Sequence, residues 1–232
     1  MKKGFNVKAH WEKHLRSTAL VAALLCGGGA FAAESPNDPY EGFNRAMFKV
    51  NETVDIVLKP VAQGYDKAAP LPVKAGVGNF FGNLSDFWTS INSFLQGKGG
   101  DGLSDAGRFL INTTIGIGGV FDVASEMGLD KRSEDFGQTL AVWGVGEGPY
   151  FYWPIIGPRT TRDTFGWGVD WAVDPVRQVD DVALRNSLAG IRLIDLRASL
   201  LPAEKVVDQA AFDKYTYIRD AYLQKRRRDV GQ

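Results

Sequence analysis

The stretch over residues 136–163 restricts this chain more than any other. It reads Phe-Gly-Gln-Thr-Leu-Ala-Val-Trp-Gly-Val-Gly-Glu-Gly-Pro-Tyr-Phe-Tyr-Trp-Pro-Ile-Ile-Gly-Pro-Arg-Thr-Thr-Arg-Asp. Phe136, Thr139, Leu140 and Trp143 recur at helical spacing, and Gly144, Gly146 and Gly148 then end the helix ahead of Pro149. A short helix therefore runs into a loop. Tyr150, Phe151, Tyr152, Trp153, Ile155 and Ile156 crowd into that loop. Aromatic and aliphatic side chains on irregular backbone need either a packed interior or a membrane interface. Thr160 and Asp163, three residues apart, have the layout of a capping box, so a new helix starts there. The Gly-x-Gly-x-Gly array has no apolar strand leading into it and no helix directly after it, so it reads as turn backbone rather than a phosphate cradle.

The amino-terminal segment bounds where such a chain works. Lys2, Lys3, Lys8, Lys13 and Arg16 precede an apolar run over 18–33, too short to span a bilayer and laid out as a secretory signal. The expected domains are thus a signal over 1–32 and a single domain over 33–232. Two processing routes stay open. One is cleavage after Ala32, at Ala30-Phe-Ala32. The other is lipid modification of Cys26, the only cysteine, although Leu25 stands where lipoproteins want a small residue.

Cleavage after Ala32 removes both histidines, His10 and His14. The remaining chain cannot run Ser-His or Cys-His chemistry or build an ordinary zinc site, and it carries no G-x-S-x-G elbow. No enzyme activity, metal or cofactor is expected. An interfacial lipase or phosphodiesterase would have to work with Asp and Ser alone. Cleavage also takes five basic residues and one acid from a chain of balanced charge, leaving a mild acidic excess that argues against nucleic acid as a partner.

Elsewhere the periodicity is helical. Asp38-Pro-Tyr-Glu41 is a helix start, with Asp38 as cap, and Phe43, Ala46, Met47, Val50, Val54, Val57 and Leu58 form the apolar stripe that follows. Such a stripe faces either a core or acyl chains. Pro60, Pro70 and Pro72 predict a bent connection over 59–72, with helix resuming near Val73 and again from Ser85. The glycine-rich residues 98–102 predict a turn, and 103–115 a helix carrying Arg108 and Asn112 in an apolar run; Arg108 needs a partner such as Asp122, a wet passage or a phosphate head group. Further helices are expected over 181–200 and 203–228, the last ending in a basic tail, Lys225-Arg-Arg-Arg228. No run alternates long enough for a β-barrel. The fold class is all-α, one domain of kinked amphipathic helices.

The signature stretch also resembles the MlaA family, also called VacJ. The resemblance rests on Phe136-Gly-x-Thr-Leu140, Gly144-Val-Gly-x-Gly-Pro-Tyr150 and Arg162-Asp163. It extends through Asp38-Pro-x-Glu-Gly-Phe-Asn-Arg45, Gly78-Asn-Phe80, Gly82-Asn-Leu84, Asn92-Ser-Phe-Leu-Gln-Gly97 and the run from Arg108 to Ala124. The likeness implies a ring-like helical domain lying in the inner leaflet of the outer membrane around a polar channel. It further implies association with trimeric outer-membrane porins. Mislocalised phospholipids would be taken from the outer leaflet and passed to a soluble periplasmic lipid carrier, unaltered. Asn44, Arg45, Asn51, Arg108, Asn112, Gly144, Gly146, Gly148, Tyr150, Arg162 and Asp163 are the residues expected to line the lipid channel. The competing reading is a scaffold that braces porins through the aromatic residues 150–156 and moves no lipid.

Overall fold

The computed structural model describes residues 38–231; the signal segment and Cys26 lie outside them. Helix α1 spans Glu41–Ala68 and does not bend away at Pro60, as the sequence had implied. Proline costs an interior helix one hydrogen bond and a steric clash. Here the loss is outweighed by ties on both sides of it. Asp55 takes a bidentate contact from Arg197 at 2.6 and 2.7 Å, Lys59 meets Glu204 at 2.7 Å, and the Tyr65 hydroxyl donates to Asp195 at 2.9 Å.

Helix α2, Leu71–Leu95, is likewise one piece, with Pro72 in its first turn, where a missing N–H is harmless. Its inward face is polar: Asn83, Asp86, Thr89, Ser90, Asn92 and Ser93 are buried on it. It turns at Gly97 into α3, Gly99–Thr114, which starts inside the expected glycine-rich turn. Ser90 Oγ donates to Gly102 O at 2.9 Å and Ser93 Oγ to Asp105 at 3.1 Å, which lashes the two helices together. The short α4, Val123–Glu126, is capped by Asp122, and α5, Phe136–Val142, by a full capping box between Asp135 and Gln138.

The expected aromatic loop is a hairpin. Strands β1, Tyr150–Trp153, and β2, Gly157–Thr160, pair antiparallel, from Tyr150 opposite Thr160 to Trp153 opposite Gly157. Alternation along β1 turns Tyr150 and Tyr152 inward, where they pack with Tyr215 and Leu223. Thr160 Oγ1 then accepts from Asp163 N at 3.2 Å and starts α6, Thr161–Val173, in the place its spacing predicts. A 3-10 turn over Pro175–Gln178 leads to α7, Val182–Ser199, capped by Asp181. The carboxy-terminal helix comes in two parts, α8 over Leu201–Ala210 and α9 over Lys214–Asp229. Extended backbone at Ala211 breaks the run, and Asp213 caps the second part.

The polarity of the whole is inverted. Among the described residues, buried polar and charged side chains outnumber buried hydrophobic ones, and the latter include small alanines. Ile56, Val57, Leu71, Leu103 and Phe165 are meanwhile each more than two thirds exposed. A water-soluble core reverses this order. No described helix is long and apolar enough to cross a membrane.

Candidate functional site

Eight of the sequence-predicted residues fall into three polar networks, two of which tie elements far apart in the chain. In the first, Asn44 of α1 is fully buried and clamps the hairpin: its Nδ2 donates to Asp38 at 2.7 Å and to Tyr150 O at 3.1 Å, while its Oδ1 accepts from Tyr152 N at 2.9 Å. Asp38 is therefore no helix cap. Its carboxylate is buried beneath Asn44 and accepts from the Tyr215 hydroxyl, while Tyr40 takes the cap position. Arg45, next along, reaches Asp213 at 2.6 Å and Glu41 at 2.7 Å and lies 4.5 Å over the Tyr215 ring. The hydrogen bond from Arg45 holds Asp213 at about 2. Asn51, two turns on from Asn44, accepts from the N–H of Ile155, a β-branched residue at φ 69° in the hairpin tip.

The second network surrounds Arg108, 1% exposed on α3. Its guanidinium donates to both oxygens of Asp122 at 3.0 Å, to Ser125 Oγ at 3.0 Å and to Leu129 O, with Asp86 facing Nε at 3.5 Å. The carboxylate partner proposed from sequence, Asp122, is the one found. Asn112, one turn along, donates to Asp122 at 2.9 Å and accepts from Ala124 N at 2.9 Å. Burial pushes Asp122 up, but the hydrogen bonds from Ser125, Asn112 and Arg108 outweigh it and hold the group at about 2. Asp86 is governed by burial, which raises it despite Lys131.

The third network joins α5, α6 and α9. Asp163, 1% exposed, accepts from the Tyr222 hydroxyl at 2.6 Å and from Arg226 at 2.9 Å, with Arg162 Nε at 3.2 Å. Arg226 also grips Asp135 at 2.6 and 2.7 Å. Desolvation favours the neutral acid at Asp163, yet Arg226, Tyr222 and Arg162 hold it at about 2. The site depends on a close crossing: a Cβ on Gly166 would collide with the backbone of Gly137, and one on Gly137 would sit 2.5 Å from Arg226 and 2.8 Å from Asp163. Within the signature loop, Gly148 has φ 66° and a Cβ there would meet Thr161 at 2.9 Å. Gly144 needs positive φ but has open space around it, and Gly146 has neither constraint.

The networks adjoin. Tyr222 accepts from Thr160 N at 3.3 Å and packs 6.2 Å from Tyr150, which connects the third with the first. The Thr139 hydroxyl donates to Asn92 at 2.7 Å, which ties α5 to the same polar face of α2 that meets Arg108. Sequence reasoning missed Asp135, Tyr222, Gly137 and Gly166, and it read Arg226 as part of an outward basic tail although the side chain is buried. The only local signal was Asp135-x-x-Gln138 ahead of a helix.

Fold and site together define a class: a mainly helical protein built with polar contacts inside and apolar faces outside. The sequence profile of the MlaA lipoprotein family matches residues 36–229, and the chain belongs to that family. It is 35% identical over 218 residues to the intermembrane phospholipid transport system lipoprotein MlaA of Escherichia coli K12, covering 91% of this chain and 86% of that one. It is 38% identical over 195 residues to an uncharacterized protein of Rickettsia bellii, covering 83% and 76%. A solved structure described as the structural basis for maintenance of bacterial outer membrane lipid asymmetry superposes with a TM-score of 0.72 at 33% identity. It covers 83% of this chain and 98% of its own.

Proposed function

We propose that this protein transports phospholipid between the membranes of the bacterial envelope, without covalent chemistry, and so maintains lipid asymmetry of the outer membrane. The observation that carries this reading is the inverted polarity: exposed Ile56, Leu71, Leu103 and Phe165 suit acyl chains, while the interior around Asp163, Arg108 and Asn44 suits charge and water. Relatives named as intermembrane phospholipid transport lipoproteins supply the substrate class. In this reading the domain lies in the periplasmic leaflet of the outer membrane beside trimeric porins. Mislocalised phospholipid enters from the outer leaflet and leaves on a soluble periplasmic carrier. The head group passes along the polar networks while its tails stay on the apolar faces.

Deleting the gene is expected to leave excess phospholipid in the outer leaflet, measured by surface labelling of aminophospholipid. A deletion strain with an unchanged outer leaflet would remove the proposal. The porin-bracing alternative drew on an exposed aromatic loop. Tyr150 and Tyr152 turn inward against Tyr215 and Leu223, which leaves Ile155 as the exposed residue of that loop.

A further inference from the structure

Trp167 and Trp171 stand one turn apart on α6 with their rings stacked, centroids 6.0 Å apart at 29°. Arg159, on β2, places its guanidinium 5.6 Å from the Trp167 ring, and Arg177, in the 3-10 turn, places its own 3.2 Å from Trp171. The result is a ladder of arginine, tryptophan, tryptophan and arginine running from the hairpin to the turn beyond α6. Cation–π stacking fixes a guanidinium's plane but leaves its hydrogen-bond donors free.

Those donors have no anion to answer them among the described residues. The acids nearest Arg159 are committed elsewhere: Asp135 and Asp163 to Arg226, and Asp170 to Trp88 Nε1 at 2.7 Å and Phe136 N at 3.0 Å. Arg159 Nε is buried with no acceptor, and burial pushes the guanidinium's pKa down. Of the two acids three residues from Arg177, Asp174 is taken by Arg192 at 2.5 Å, and Asp180 makes no ion pair with Arg177. A desolvated cation with an unfilled donor is costly unless an anion fills the gap. The same helix also shows solvent Phe165, Trp171 and Val173. The ligand chemistry that satisfies both features is an anion joined to an apolar tail.

We infer that this ladder is a docking stripe for the phosphate of phospholipid head groups in a membrane surface, with Arg159 and Arg177 holding the phosphate and the tryptophans with Phe165 lying against the glycerol and acyl region. Arginine suits this role because its planar fork matches a phosphate's oxygens, and tryptophan because its ring is apolar with one polar edge. The inference rests on the proposed function and names the part of the surface that first receives the head group.

The test uses the purified protein in neutral, phosphate-free detergent micelles and reads tryptophan quenching by brominated phosphatidylglycerol, by brominated diacylglycerol and in the presence of inorganic phosphate. The chain has 6 tryptophans, so Trp167→Phe with Trp171→Phe identifies the ladder's share of the signal. Phosphatidylglycerol is expected to quench that share at about tenfold lower mole fraction than diacylglycerol, and Arg159→Gln with Arg177→Gln to abolish the difference. Inorganic phosphate at millimolar levels is expected not to compete. Equal quenching by the two lipids, an unmoved midpoint in the double variant, or displacement by free phosphate would each overturn the inference. Arg177 is exposed, so Arg177→Gln alone, expected to shift the midpoint about threefold, reads out even if Arg159→Gln does not fold. Failure here is separable from failure of the function. A deletion strain restored by the wild-type gene, beside an unmoved midpoint in the variants, removes the ladder and keeps the transport reading. A deletion strain with no outer-leaflet defect removes the transport reading.

Discussion

Two groups of arginines in this molecule live under opposite terms. Arg108 is buried and paired with carboxylates within the chain: its terminal nitrogens donate to Asp122, Ser125 and Leu129 O, and Asp86 faces Nε at 3.5 Å, although Nε itself makes no hydrogen bond. Arg159 and Arg177 are stacked on tryptophan rings and meet no carboxylate among the described residues. The first arrangement fixes a fold, because removing one member strands the others in low dielectric. The second leaves binding capacity unspent. Burial alone thus does not mark a functional arginine, nor does an unfilled donor; what sets the second pair apart is that no carboxylate faces it. The Asp163 network belongs with Arg108 on this test, since Arg226, Tyr222 and Arg162 all converge on one carboxylate.

The sharpest way to break the comparison is Arg108→Met. It leaves Asp122 without its guanidinium and Asp86 with Lys131 alone, and is expected to cost about 3–5 kcal/mol in denaturant unfolding. A loss under about 1 kcal/mol would show that the network is not structural. Next is Gly166→Ala, which pushes α6 off the backbone of Gly137 and with it Asp163 off Arg226. The expected cost is about 1–3 kcal/mol, while Gly146→Ala, in open space, is expected to stay within about 0.5 kcal/mol. Comparable losses for the two glycines would undo the claim that the helix crossing, rather than the signature loop, carries the constraint.

Acid titration sharpens the contrast further. The folded pKa of Asp163 is about 2, below the ~3.9 of an unfolded chain, so its stabilisation is complete above about pH 4 and is lost as pH falls toward 2. The contribution is about 2 kcal/mol, and Asp163→Asn should flatten that part of the stability profile. Asp86, raised by burial, has the opposite sign: its ionised form is a cost at neutral pH that protonation relieves. The smallest effect is expected for Arg177→Gln, within about 0.5 kcal/mol of wild type, because its side chain is exposed and meets the rest of the described residues through the Trp171 stack, with no hydrogen bond or ion pair. A large loss there would move the ladder to the structural side.

Local chemistry was readable ahead of the structure, and distant chemistry was not. The cap at Thr160, the helix opening near Asp181 and the helix from Phe136 follow from residues within a few positions of one another. The match of Arg108 to Asp122 spans a single turn and loop, and it too could be anticipated. Asp135 with Arg226 lies beyond that reach, being 91 residues apart. The hairpin was hidden because each strand has 4 residues and Pro158 sits in the second, while the pairing is held from outside by Asn44. Pro60 misled for the same reason: local propensity argued for a break, and ties to α7 and α8 overrode it. Eight of the eleven residues chosen from the sequence sit in three adjoining polar networks and the other three are the glycines of the signature loop; the part of all eleven in carrying lipid stands as a proposal.

The unbroken course of α1 sets the posture of the molecule. Its 28 residues make a rod roughly 42 Å long at 1.5 Å per residue, while a single acyl leaflet is about 15 Å deep. In the half-bilayer proposed for this domain such a rod cannot stand upright. It has to recline, as a beam floating along the lipid plane, with Ile56 and Val57 as its keel.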